Sequence, residues 1–461
     1  MRTRTLAVWT LALVFVGCGQ TKMVQTTGKI RAHMLNSNYQ AALATLRIDK
    51  KDAYKEQDRV AFWLDEGMLL HLTGNFKQST DALSQAEKRS IELYTTSVSK
   101  SITAAFTSDA AKDYEGEDYE KVLIHVVKAF NFMSTGDENG ALVEARKINE
   151  KLALFNTKYK HKNVYNQDAF AHWLMGLLFE MEKSYDDARI AYAKAYEVYG
   201  HDFAGNYGFR PPAYVGEDIV RASILGNAAD EVAKWKGKVG GEAGKTADLM
   251  KTHGEVVVFH MNGEGPSKSD YFVNCWFLGI ANWRCDGEPG GEFMKKTTIM
   301  IPKGGTTIKV AFPILHVHAP SAQYMDITVG GQTGRSLPAY PLNEIAMKTL
   351  ADKMHRIFRD AMIRIVTKLV TSKAAGAIAG KAGGKLFGWI AEKGSSAIMQ
   401  AFEEADKRAW TTLPARIDVA RVWATPGTHT LTIMLSNGRR ATIPNVKVAA
   451  GQKVILTYRS L

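Results

Sequence analysis

The chain of 461 residues has only three cysteines, Cys18, Cys275 and Cys285, and a thiol is the most reactive group a side chain offers. Cys18 follows Phe15-Val16-Gly17 at the end of an apolar run. Cys275 and Cys285 flank Trp276 to Arg284, a stretch rich in large apolar groups. An oxidising compartment joins such nearby pairs, so a disulfide-closed loop is predicted. The absence of a tight Cys-x-x-Cys spacing argues against a metal. His316-x-His318 near a strand end puts both rings on one face, where a third ligand would complete a metal site. No third ligand is evident, so half-buried histidines are the expectation. Glu403, Glu404 and Asp406 read as a solvated helix end, and Asp406 with Arg408 near Trp410 as a structural ion pair. Gly-x-Ser-x-Gly, phosphate-loop and His-Glu-x-x-His motifs do not occur. Neither a catalytic centre nor a cofactor is expected.

The residues before Cys18 must decide its fate. Arg2 and Arg4 precede Leu6 to Val16, in which only Thr10 is polar. A basic start and a short apolar stretch form a secretory signal, too short for the roughly 20 residues of a membrane span. A small residue and then cysteine resembles the lipobox of bacterial lipoproteins. That resemblance implies cleavage before Cys18 and lipid on its thiol and amine, a firm anchor when two or three chains are present. Gly19, rather than Asp, follows the cysteine, so the outer membrane, facing the periplasm, is expected. An ordinary signal with a chance cysteine is the alternative. The composition, 46% hydrophobic and 23% charged, is globular. The formal charge of +12 becomes +10 without Arg2 and Arg4, which favours acidic partners such as anionic lipid or peptidoglycan. Export argues against nucleic acid. No later stretch has about 18 clean apolar residues.

Residues 25–200 carry an internal repeat. From Phe170 to Tyr199, Gly176, Phe179, Tyr185, Ala188, Tyr192 and Ala195 fall at the spacing of a tetratricopeptide (TPR) unit. Gly67, Leu70, Gly74, Phe76, Ser79, Leu83 and Ala86 match nearly as well. Ala129, Phe132, Gly136-Asp137, Ala141 and Ala145 match in part, and Tyr39, Ala42 and Leu46 show only a second helix. Small residues belong where antiparallel helices touch, and Gly74-Asn75 or Lys183-Ser184 makes the turn. The region therefore resembles a TPR-like solenoid of about four helix pairs, with an unrelated bundle as the alternative. Such a solenoid implies a groove that holds peptides, glycans or partner helices. Pro211-Pro212 breaks the pattern. Short helices at Asp218 to Leu225 and Ala228 to Trp235 follow, and then a linker from Gly237 to Lys251.

Beyond the linker the chain turns to strands. Glu255 to Phe259, Thr297 to Ile301, Thr306 to Phe312, Met325 to Val329, Ile417 to Ala424, His429 to Leu435, Arg440 to Ile443 and Lys453 to Tyr458 are expected strands. Ser436-Asn-Gly438 is a hairpin signal. These short strands suggest a small β-sandwich. It is interrupted by a helical insert, whose first part places Leu350, Met354, Ile357, Phe358, Met362 and Ile365 on one face. Its basic other face suits either a membrane surface or plain solvent around a core-facing helix. Gly376, Gly380, Gly384 and Gly388 then recur every four residues. Glycine weakens a helix by roughly 1 kcal/mol against alanine, and close helix approach would offset that. An intramolecular hairpin, a homo-oligomer contact and partial membrane insertion all remain open.

Short stretches in order, Gly254-Glu-Val-Val-Val258, Gly263 to Pro266, Val310-Ala-Phe-Pro313, Ala405-Asp-Lys-Arg-Ala-Trp410, Leu413-Pro414 and Ala420-Arg421, resemble a family of uncharacterised bacterial lipoproteins with an N-terminal TPR-like region. Phe272 to Gly291, with both later cysteines, departs from that pattern. The resemblance implies location and architecture, not a mechanism. The expected fold is α+β and multidomain: a signal peptide (1–17), a TPR-like domain (18–250), a β-sandwich-like domain (251–340 and 406–461) and the glycine-zipper insert (341–405). The expected role is a membrane-anchored periplasmic adaptor or scaffold whose partner is an envelope protein or peptidoglycan. A structural subunit that oligomerises through the glycine helix, or a peptidoglycan-directed enzyme with its site in the β-domain, are the alternatives.

Overall fold

The computed structural model describes residues 18–99, 109–158, 165, 167–241, 243–279, 282–290, 293–296, 306–379 and 405–461. Its first half is five antiparallel helix pairs. These are α1 (Cys18–Leu35) with α2 (Tyr39–Ile48), α3 (Arg59–Leu72) with α4 (Phe76–Ser99), and α5 (Asp118–Ser134) with α6 (Glu138–Lys158). Then come α7 (Ala169–Met181) with α8 (Tyr185–Val198), and α9 (Ala213–Leu225) with α10 (Ala229–Val239). All five turns share one backbone. Their central residues, Ser37, Gly74, Gly136, Lys183 and Asn227, have φ of 55°, 77°, 77°, 62° and 56°. The following N–H reaches back to a carbonyl of the first helix: Asn38 to His33, Asn75 to Leu70, Asp137 to Phe132, Ser184 to Phe179 and Ala228 to Ser223, each at 2.9 Å. That bond satisfies a carbonyl the helix end leaves open.

The sequence suggested about four pairs ending near residue 200; the fifth pair repeats the same turn with Asn227 where the second and third have Gly74 and Gly136. Signature residues sit at the helix crossings. A Cβ on Gly67 would meet Leu83 Cγ at 2.5 Å, and one on Gly176 would meet the Tyr192 ring at 2.5 Å. Leu70, Leu83, Ala86, Ala188, Tyr192 and Ala195 are buried, while Phe76, Phe179 and Tyr185 are half-buried.

Thirteen strands follow among the described residues. They are β1 (Gly254–Asn262), β2 (Ser267–Gly279), β3 (Asn282–Cys285), β4 (Gly287–Gly290), β5 (Phe293–Lys296), β6 (Thr306–His316), β7 (Met325–Val329), β8 (Gln332–Arg335), β9 (Leu337–Tyr340), β10 (Arg416–Ala424), β11 (Gly427–Leu435), β12 (Arg440–Val448) and β13 (Lys453–Ser460). Two four-stranded sheets form, in the orders β13-β1-β10-β9 and β12-β11-β7-β8. Every residue of β1 is buried. Val257, Phe259 and Met261 join a core shared with the helices, while Val256 and Val258 join Ile327, Leu431 and Ile433 of the second sheet. An unbroken Val-Val-Val-Phe run is what a strand covered on both faces requires.

β2 and β6 form a long antiparallel ribbon. Cys275 and Cys285 lie opposite each other on β2 and β3, with their sulfurs bonded. β2 escaped the sequence reading because Ser267-Lys-Ser-Asp270 opens it without a β-branched run. Helix α11 (Leu342–Ala379) lies against the ribbon, where Phe358 stacks on Phe312 at 5.1 Å between centroids. Leu350, Met354, Met362 and Ile365 are buried, so this face meets the protein's own core. Gly376 belongs to α11. Gly380, Gly384, Gly388, Glu403, Glu404 and the expected strand Thr297 to Ile301 lie outside the described residues. Among the described residues, no helix is long and apolar enough to cross a membrane.

Candidate functional site

The face on which a solenoid would receive a ligand is filled by the chain itself. Phe259 of β1 lies 4.7 Å from Phe130, 6.0 Å from Phe170 and 5.9 Å from Trp173, centroid to centroid. Tyr340 of β9 lies 5.6 Å from Phe170, and Tyr199 donates its hydroxyl to Ala339 O at 2.6 Å. The inner helices therefore pack on the first sheet, not around an open groove.

Charge locks this seam. Glu180 of α7, Asp218 of α9 and Glu255 of β1 interleave with Arg221 of α9, Arg421 of β10 and Lys453 of β13. Arg221 meets Glu180 at 2.6 Å and Asp218 at 2.6 Å; Arg421 meets Asp218 at 2.8 Å and Glu255 at 2.5 Å. Lys453 pairs with Glu255 and lies 3.4 Å from Glu180. Trp173 donates to Asp218 at 2.8 Å and Tyr192 to Glu180 at 2.7 Å. Three acids and three bases balance, which is the condition for keeping ions from water. Burial pushes the Glu180 carboxyl up, but Arg221 and Lys453 outweigh it and hold it at about 2.

A second lock uses the segment just before β10. Asp65 Oδ1 accepts from the Thr412 N–H (3.0 Å) and hydroxyl (2.9 Å), and Glu120 accepts from the Trp410 N–H at 2.7 Å. Arg408 pairs with Asp406 at 2.7 Å, as its sequence neighbourhood suggested, and with Asp58 at 3.1 Å. Glu117 accepts from Lys268 at 2.6 Å and from Lys353 at 2.7 Å, tying α5 to β2 and α11. The stretches Gly254 to Val258, Ala405 to Trp410 and Ala420-Arg421, which hold Glu255, Arg408, Trp410 and Arg421, are parts of this seam. Sequence reasoning missed Asp65, Glu180, Asp218, Arg221 and Lys453. The signal available was a charge inside an apolar run, as in Val60-Ala-Phe-Trp-Leu-Asp65.

Two clusters have the composition of a reactive centre. His125 Nδ1 lies 2.7 Å from Glu144 Oε2, and its unbonded Nε2 lies 3.8 Å from Glu87. These three groups converge closely enough for a metal. The Lys128 ammonium, however, is 3.0 Å from both carboxylates and supplies the positive charge there. The second cluster is His260, with Nε2 2.6 Å from Ser460 Oγ and Nδ1 3.6 Å from Asp418. The order is that of a nucleophilic triad. Yet Nδ1 makes no hydrogen bond, and burial followed by the nearby Arg459 pushes the imidazole down to about 3. So weak a base suits a structural link between β1, β10 and β13 better than proton abstraction near neutrality. His316 bonds Ser269 at 2.6 Å, and His318 contacts Arg31, with Glu264 4.0 Å away.

No family model matches the sequence, and no curated protein is similar to it. Solved helical-repeat structures are. RapI in its apo form shares 14% identity over 48% of this chain, at a TM-score of 0.36, and the match spans 53% of RapI. MamA shares 14% over 49% of this chain and 94% of its own, at 0.30. Kinesin light chain TPR-like repeats from Podosopora anserina share 10% over 48% and 93%, at 0.31. The repeat character of the helical half rests on its own crossings and turns, described above. At such distances nothing about function transfers.

Proposed function

We propose that this protein is a non-catalytic adaptor or scaffold of the bacterial cell envelope, held by lipid on Cys18 at the outer membrane and facing the periplasm. The observation that carries the scaffold reading is the sealed inner face. The inner helices pack on the chain's own sheet, so the surface left for a partner is the outer one. The two four-stranded sheets with an apolar cluster between them support the sandwich reading of the β-domain. Val143 of α6 and Ile190 of α8 are exposed at equivalent places on second helices, which makes them suitable probe positions.

A photocrosslinking residue at either position, in cells, is expected to capture a recurrent envelope protein or a peptidoglycan fragment. In the same cells, fatty-acid labelling and membrane fractionation should be lost on Cys18→Ala. Crosslinks only to the protein's own copies would replace the adaptor with a self-assembling subunit. Labelling that persists in the Cys18→Ala variant would remove the anchor.

A further inference from the structure

Arg221 and Arg408 are buried, the side chains of Arg421, Lys268 and Lys453 are largely covered, and each faces a carboxylate. Arg459 of β13 is different. It is 7% exposed, and its guanidinium donates to backbone carbonyls: Met261 at 3.2 Å, Leu413 at 3.0 Å and Thr412 at 3.5 Å. Its Nε has no partner. Carbonyls offer dipoles but no neutralising charge, and an unneutralised buried cation is costly to keep. Burial brings this group down to about 10, so it stays charged near neutrality.

Arg459 stands between two cavities. One, of about 340 Å³, is walled by Tyr39, Phe76 and Met261; the other, of about 350 Å³, by Asn36, Arg439 and Arg440. Ser37, Tyr458 and Arg459 line both, and no Asp or Glu lines either. Arg439 donates to Leu461 O at 2.5 Å. Among the described residues no Asp or Glu side chain is in ion-pair range of Arg439, Arg440 or Arg459.

We propose that this double cleft binds a small organic oxyanion, a carboxylate or a phosphate carried on an apolar or aromatic body. The anionic group lies against Arg439 and Arg440, whose planar forks match either oxyanion, and against the Nε of Arg459, the nitrogen of that guanidinium left without a partner. The body lies beside Tyr39, Phe76 and Tyr458. The cleft is made by the first two repeat turns and the last strand, and it stands independently of the envelope location and the scaffold role.

The test is calorimetric titration of the full chain, at constant ionic strength, with phenyl phosphate and with phenylacetate, using benzyl alcohol as the neutral counterpart. One anion is expected to saturate at one equivalent, and its identity separates the phosphate source from the carboxylate source. The exposed pair Arg439→Ala and Arg440→Ala should raise the half-saturation concentration about tenfold or more, as expected for lost charge-assisted bonds, with an unchanged circular dichroism spectrum. Arg459→Gln should abolish saturation; should that variant fail to fold, the rim pair still decides. Saturation by neither anion, an equal response to benzyl alcohol, or an unaltered titration in the rim variant overturns the proposal.

Discussion

Arg421 donates to Asp218 on a helix and to Glu255 on a strand, so one guanidinium spans the seam. Arg421→Gln takes one cation from each of two buried carboxylates, leaving Asp218 with Arg221 and Glu255 with Lys453, and breaking such a pair costs up to about 3–5 kcal/mol. The pH dependence follows from Glu255. Burial pushes its carboxyl up, but Arg421 and Lys453 override this and hold it well below the ordinary range. A depressed carboxyl contributes stability that is present above its unfolded pKa and is lost as pH falls through the folded one. In Arg421→Gln the Glu255 carboxyl keeps Lys453 but is held down less, so protonation relieves part of the loss. The deficit against the unsubstituted chain is therefore expected to be largest at pH 7 and smaller at pH 4. Denaturant unfolding at the two pH values checks this, and an equal deficit at both would contradict it.

At the scale of elements, the repeat is a turn as much as a helix pattern. Five turns share a left-handed central residue and one reach-back hydrogen bond, and only two of the five use glycine there. Ser37, Lys183 and Asn227 accept a conformation that disfavours a Cβ by roughly 1–2 kcal/mol, which is why the turn is harder to read in a sequence than the helix crossings. Those crossings are legible because they exclude side chains. Gly67 leaves room for Leu83 alone, and Gly67→Ala is expected to cost about 1–3 kcal/mol through overpacking. Adding Leu83→Ala should return part of that loss, because the second change removes the clashing atoms. A double-mutant cycle by thermal unfolding measures this coupling, and simple additivity would count against the crossing.

For the whole molecule, the solenoid and the sheet complete each other. Phe130, Phe170 and Trp173 are buried against Phe259, and exposing a large apolar side chain costs about 1.5–3 kcal/mol. Residues 18–250 produced alone are therefore expected to bind a hydrophobic dye and to melt without a sharp transition. Adding residues 251–461 should suppress the dye signal and restore cooperative unfolding. A fragment that melts sharply and stays dye-free would mean that the helices close without the sheet.

The sequence by itself determined what depends on local spacing. Helix pairs followed from small residues placed where helices cross, the central strand from an unbroken apolar run, the Ser436-Asn-Gly438 hairpin from its turn chemistry, and the Asp406–Arg408 pair from proximity along the chain. The partners of Glu180, Asp218 and Lys453 were not legible, because those charges find one another across distant segments and no periodicity records such a meeting. The same holds for the cleft at Arg459, whose walls come from the first two turns and the last strand. Only the tertiary structure decided that the repeat groove is occupied: the apolar inner face of the helices and the apolar run of β1 each needed a cover, and each serves as the other's.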